Sequence, residues 1–177
     1  TDRFGNQEWT RNIGGSASES ASAIAIATDG NYVVAGYVED ASGNRDVFLA
    51  KFDAGGVLWQ STFGGAENEE GAELVITDDG GYAVAGYSTD ATGDQNALLA
   101  KFDGSGTVVW TKDYGALGSD WATSLLQKSD GGYVLAASTN SYSAPGLDNT
   151  NFMIVETNSI GDEIDRLTYG TTESNLN

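Results

Sequence analysis

Asp79-Gly80-Gly81-Tyr82-Ala83-Val84-Ala85-Gly86-Tyr87 is the stretch whose reading decides the fold, because the chain contains it three times. Fifty residues earlier stands Asp29-Gly30-Asn31-Tyr32-Val33-Val34-Ala35-Gly36-Tyr37, and fifty-one later a looser copy that begins Asp130-Gly131-Gly132-Tyr133 and ends Ala136-Ala137-Ser138. Working outward, Trp9, Trp59 and Trp110 stand 20 residues ahead of these turns. Gly14, Gly64 and Gly115 follow the tryptophans by five residues, and the acids Glu19, Glu69 and Asp120 by ten. Ala50-Lys51-Phe52-Asp53 matches Ala100-Lys101-Phe102-Asp103 and, weakly, Val155-Glu156-Thr157-Asn158. The units counted from the tryptophans are 9–58, 59–109 and 110–164, within one domain over 1–177. A partial fourth unit, 165–177, has Asp165 at the tryptophan position.

Each unit holds four apolar runs; in the first these are 20–27, 31–38, 46–53 and 57–63. The first alternates around Ile24 and Ile26 with the period of two of a half-buried strand. The second, from Tyr32 to Tyr37, is apolar almost throughout, as in a strand covered on both faces. Asp29-Gly30 and its copies are hairpin turns in which glycine supplies the positive φ. Four antiparallel strands repeated every fifty residues predict an all-β fold. The specific expectation is a β-propeller segment of about three four-stranded antiparallel blades, plus partial blades at each end. Thr1-Asp2 aligns with Phe102-Asp103, so residues 3–14 are predicted to form a fourth strand, and 165–170 another. Both ends then supply the same strand. The expectation that follows is a segment of a longer chain, or copies that self-associate to complete a ring.

The composition excludes several functions. Eight basic residues against 26 acidic ones leave a formal charge of −18, which repels nucleic acid and anionic membrane surfaces. Such an excess suits a highly soluble surface, a salt-rich habitat, or recruitment of divalent cations. No stretch approaches the roughly 18 apolar residues of a membrane helix, so no membrane insertion is expected. Without histidine or cysteine, the chain holds no Ser-His-Asp triad, no imidazole base, no thiolate and no disulfide.

Candidate chemistry falls on five groups of residues. Asp53 and Asp103 lie in the turn before a tryptophan, where a carboxylate accepts backbone N–H bonds and pins a hairpin. Trp9, Trp59 and Trp110 are expected to pack between units. The repeated acids Glu19, Glu69 and Asp120 could ring a channel, hold a cation, or act as the acid and base of a glycosidase. A strand-start residue bonding backbone would have the same pattern. The loops bearing Asp40 and Asp46, Asp90 and Asp94, and Asp148 carry the oxygen ligands calcium takes, without the twelve-residue Asp-x-Asp-x-Asp-Gly pattern. Trp121, Tyr142 and the enlarged loop 139–150 break the repeat and mark a candidate binding patch, for instance for a glycan.

Asp-Gly-Gly-Tyr-x-x-Ala-Gly-Tyr at 79–87, Lys-Phe-Asp at 101–103, Trp110 and Gly115 together resemble the blade repeat of secreted and surface proteins of bacteria and archaea. The resemblance spans essentially the whole chain. It implies an extracellular or cell-surface location and partners among other domains of the same or neighbouring chains. The aspartate turn is also similar to the Asp-x-Gly-x-x-Trp turn of sialidases and to the tryptophan-docking repeat of quinoprotein dehydrogenases. Here, however, the aspartate-to-tryptophan spacing is six and seven residues. The function expected is a non-enzymatic scaffold or recognition module. A lectin-like binder is the alternative, and part of a carboxylate-dependent glycosidase a more distant one.

Overall fold

The computed structural model describes residues 1–142 and 150–170. The strands of the described residues form three four-stranded antiparallel sheets, and no helix occurs among those residues. The first sheet is a meander of β1 (Ser18–Ile26), β2 (Tyr32–Glu39), β3 (Arg45–Phe52) and β4 (Val57–Phe63). The second contains β5 (Glu69–Ile76), β6 (Tyr82–Thr89), β7 (Gln95–Phe102) and β8 (Val108–Tyr114). The third contains β9 (Asp120–Gln127), β10 (Tyr133–Thr139), β11 (Asn151–Thr157) and β12 (Glu163–Tyr169). Sequential pairing needs only short turns, apart from the longer connection between β10 and β11. Gly30, Gly80 and Gly131 take φ values of 83°, 80° and 84° in the first hairpin of each sheet, a region other residues resist.

The alternation of side chains explains how the sheets stack. Tyr82, Val84, Leu98, Ala100 and Phe102 of the central sheet are buried with Val33, Ala35, Val47 and Leu49 of the first. Their neighbours Ala83, Ala85, Ala97 and Leu99 point the other way and are buried with Leu135, Met153 and Val155 of the third. The central sheet is thus covered on both faces, which is why β6 and β7 are apolar at successive positions. Each large apolar side chain so buried stabilises the stack by about 1.5–3 kcal/mol.

A β-bulge recurs at one place in each first strand: between Ala21 and Ala23, between Gly71 and Glu73, and between Ala122 and Ser124. In β5 the extra residue brings Glu69, Gly71 and Leu74 to the buried side together, which strict alternation forbids.

One expectation is corrected. Residues 3–14 form no strand, because no neighbouring strand among the described residues offers them a ladder. The fourth strand expected at 165–170 is present as β12, which pairs with β11 from Phe152↔Tyr169 to Thr157↔Glu163 and completes the third sheet. Sheet boundaries therefore run 18–63, 69–114 and 120–169, out of phase with units counted from the tryptophans. No helix among the described residues is long and apolar enough to cross a membrane.

Candidate functional site

The tryptophans join one sheet to the next. Trp59 on β4 lies 5.6 Å, centre to centre, from Tyr82 of the second sheet, and Trp110 on β8 lies 5.8 Å from Tyr133 of the third. Trp9 stands in the same relation to Tyr32, at 5.7 Å, and meets Phe52 at 6.3 Å. The N-terminal arm thus lies on the first sheet where β4 lies on the second, without the ladder. Beneath it opens a cavity of about 540 Å³ lined by Trp9, Arg11, Ile13, Glu19, Val34 and Phe48. Its two charged side chains bond within the fold: the Arg11 guanidinium donates to the Ala54 carbonyl, and Glu19 accepts the Gly15 N–H at 2.7 Å.

That last bond recurs. Glu69 accepts the Gly65 N–H at 2.8 Å and Asp120 the Ala116 N–H at 3.2 Å, so each repeated acid closes the loop entering its own sheet. Asp46 joins Glu69 against Gly64, where a Cβ would collide with Asp46 Oδ1 and stand 2.7 Å from Glu69 Oε2. Burial pushes both carboxyls above the ordinary carboxylate range. The Asp46 charge adds to the rise at Glu69 against the pull of the Gly65 N–H, and Asp40 adds to the rise at Asp46. Asp120 is fully buried: Oδ2 also accepts the Ser141 hydroxyl, and Oδ1 has no hydrogen-bond partner among the described residues.

The loop aspartates hold their own loops in the same manner. Asp40 accepts the Ser42 and Asn44 N–H groups, and Asp90 those of Thr92 and Asp94. Asp103 accepts those of Ser105 and Thr107, and Asp53 those of Gly55 and Gly56. Asp94 reaches across to the Gly118 N–H at 2.6 Å. The Thr92 hydroxyl pulls the Asp90 carboxyl below the ordinary range, and the Ser105 hydroxyl does so for Asp103. Asp40, Asp46, Asp90 and Asp94 lie at one end of the first and second sheets, at or beside the β2–β3 and β6–β7 loops. Among the described residues, no three acidic side chains converge where a metal ion would sit. Asp148 lies outside the described residues.

Two polar features escaped the sequence reading. Arg45 bridges the first and second sheets: Nη1 meets Glu70 Oε1 at 2.5 Å and Nε meets Glu39 Oε2 at 3.3 Å. Its guanidinium also stands 4.6 Å from the Tyr37 ring centre, and the Tyr87 hydroxyl donates to Glu70 at 2.7 Å. The second feature ties third strands to first hairpins. Lys51 pairs with Asp29 at 2.7 Å and Lys101 with Asp79 at 3.0 Å. In the third sheet Glu156 replaces the lysine, and Lys128 supplies the cation, 2.9 Å from Asp130 and 2.6 Å from Glu156. The charge has changed strands while the junction has kept its form. With the Thr77 hydroxyl foremost and Lys101 behind it, Asp79 is held down at about 2.

Trp121 is half-buried and pairs with Ser138 across the β9–β10 ladder, at the register position where the second sheet sets Glu70 against Tyr87. A large-for-small exchange on facing strands accommodates the indole. Tyr142 is 37% exposed, and the Arg166 guanidinium from β12 stands 5.2 Å from its ring centre. The two aromatics are therefore anchored to different strands. No protein-family model matches this chain, and no curated protein matches it in sequence.

Proposed function

We propose that the three sheets are consecutive blades of a β-propeller, acting as a non-enzymatic scaffold or recognition module of a larger secreted or cell-surface assembly. The observation that carries this reading is the duplication of one sheet-to-sheet junction, down to its tryptophan–tyrosine contact and its loop-closing acid. Carboxylates bound to backbone N–H groups hold geometry rather than protons in flight, so the repeated acids serve the stack. Screening the chain against chromogenic glycosides of several classes tests this. No turnover is the expected result, and hydrolysis abolished by Glu69→Gln or Asp120→Asn would overturn it.

A lectin-like role for the third sheet is the second reading. It is favoured by Trp121, an aromatic where the other sheets have Ser20 and Glu70, near the loop that departs most from the repeat. Glycan-array binding lost in both Trp121→Ala and Tyr142→Ala would support this reading. Binding that survives both would remove it.

A further inference from the structure

The loop between β8 and β9, residues 115–119, is held from both sides. On the side of the second sheet, Asp94 accepts the Gly118 N–H at 2.6 Å, and the Gln95 N–H donates to the Gly118 carbonyl at 3.2 Å. On the side of the third, Asn140 Oδ1 accepts the Ser119 N–H at 2.6 Å, and the Ser141 hydroxyl donates to the Ala116 carbonyl at 3.1 Å. Gly115 lets oxygens close in on this loop. A Cβ there would stand 2.3 Å from Asp120 Oδ2 and 2.8 Å from Asn96 Oδ1, so only glycine admits both. An acid from β9 and an amide oxygen from β7 thus come together over bare backbone.

Asp120 is the member of this group that the protein does not satisfy. Its side chain is fully buried, and Oδ2 accepts the Ala116 N–H and the Ser141 hydroxyl. Oδ1 has no hydrogen-bond partner among the described residues, and no ion pair among them reaches Asp120. The first junction sets Asp46 and Glu69 against Gly64 at the same repeat positions, and there no buried oxygen of either acid is left over. A buried carboxylate oxygen without a partner is costly, and an ion or a water is its usual complement. Charge decides between these. A water bonds the oxygen but leaves the buried negative charge unbalanced, whereas a cation does both.

We propose that the junction of the second and third sheets binds one calcium ion through Asp120, with the neutral oxygens of Asn96, Ala116 and Ser141 around it. Every donor at the site is a hard oxygen, which suits calcium and not the metals that take nitrogen or sulfur. Waters complete the six to eight ligands calcium takes. A single carboxylate carries the charge, so three acids need not converge, and Glu19 and Glu69 of the other junctions take no part. With so little ligand charge the affinity is low, a dissociation constant of roughly 10⁻⁴–10⁻³ M. The formal charge of −18 enriches cations near the surface and favours loading.

Calorimetric titration of the 177-residue chain with calcium chloride at constant ionic strength tests the proposal. The expected result is one saturable site per chain. At ten times the dissociation constant the melting temperature is expected to rise by roughly 3–6 °C. Asp120→Asn, shown folded by circular dichroism, is expected to lose both effects. Asn96→Asp adds a second carboxylate and is expected to bind calcium about tenfold tighter. It should melt below the parent chain in EDTA and above it in calcium, and it decides the matter by itself if Asp120→Asn does not fold. Absence of saturable binding up to about 10 mM calcium would overturn the site. Undiminished binding in folded Asp120→Asn would put the ion elsewhere on the acidic surface, and would overturn it too. So would an Asn96→Asp variant that melts below the parent by the same amount with and without calcium. That result would mean that Asn96 turns its amide N–H on Asp120 and no ion lies between them.

Discussion

Glu69 shows how one side chain both holds the fold and strains it. Its carboxylate closes the loop through the Gly65 N–H, yet burial and the adjacent Asp46 disfavour its charge. Its folded-state pKa lies above the unfolded value of 4.5, so its contribution is complete below that pH and is lost as pH rises through the folded value. Glu69→Gln keeps an acceptor for Gly65 and removes the charge. At pH 7 it is expected to raise the melting temperature by roughly 2–4 °C, the equivalent of about 1 kcal/mol, and to do nothing near pH 3. Glu69→Ala loses the acceptor and is expected to lower it instead. Melting curves of both variants at the two pH values check the sign. Asp79 runs the opposite way: its carboxyl sits at about 2, so what it contributes is present above 3.8 and fades as pH falls through 2. Asp79→Asn is therefore expected to destabilise the chain at pH 7 and to have little effect near pH 2.

At the scale of the element, the bulged first strands and the glycines facing them form one device. A Cβ on Gly86 would stand 1.8 Å from the Glu70 carbonyl oxygen, far inside contact distance, and one on Gly36 would stand equally close to that of Ser20. Gly86→Ala is expected to cost about 1–3 kcal/mol by overpacking, read from chemical denaturation. Ala137 takes this position in the third sheet, so Ala137→Gly should change stability far less. The arm gives a second forecast at this scale. Trp9 anchors residues 3–14 without ladder bonds, so their amides are expected to exchange with solvent quickly while those of β6 and β7 exchange slowest. Protection of the arm equal to that of β4 would contradict the assignment. The repeat made the hairpins and the tryptophan contacts legible, since turn chemistry and aromatic spacing act locally. The bulges were hidden because an inserted residue leaves no mark on composition. The lysine that changed strands between Lys101 and Lys128 was hidden too, because only pairing brings those positions together.

For the whole molecule the governing quantity is charge. Arg45, Lys51, Lys101, Lys112, Lys128 and Arg166 are each paired with a carboxylate, yet the acidic excess stands at −18. Repulsion among the surplus carboxylates works against the compact state, and salt screens it. The melting temperature is therefore expected to climb from low salt to about 1 M salt. A fall over that range would mean that the ion pairs outweigh the repulsion. What the sequence determined by itself was the unit: four strands, their turns and the aromatic that ends each repeat, because these follow from side-chain period and backbone preference within fifty residues. Tertiary structure alone decided which faces are covered and which are open. Burial depends on what stands opposite, and the same repeat position is buried at Leu74 and exposed at Ile24 because only one of them has a neighbouring sheet.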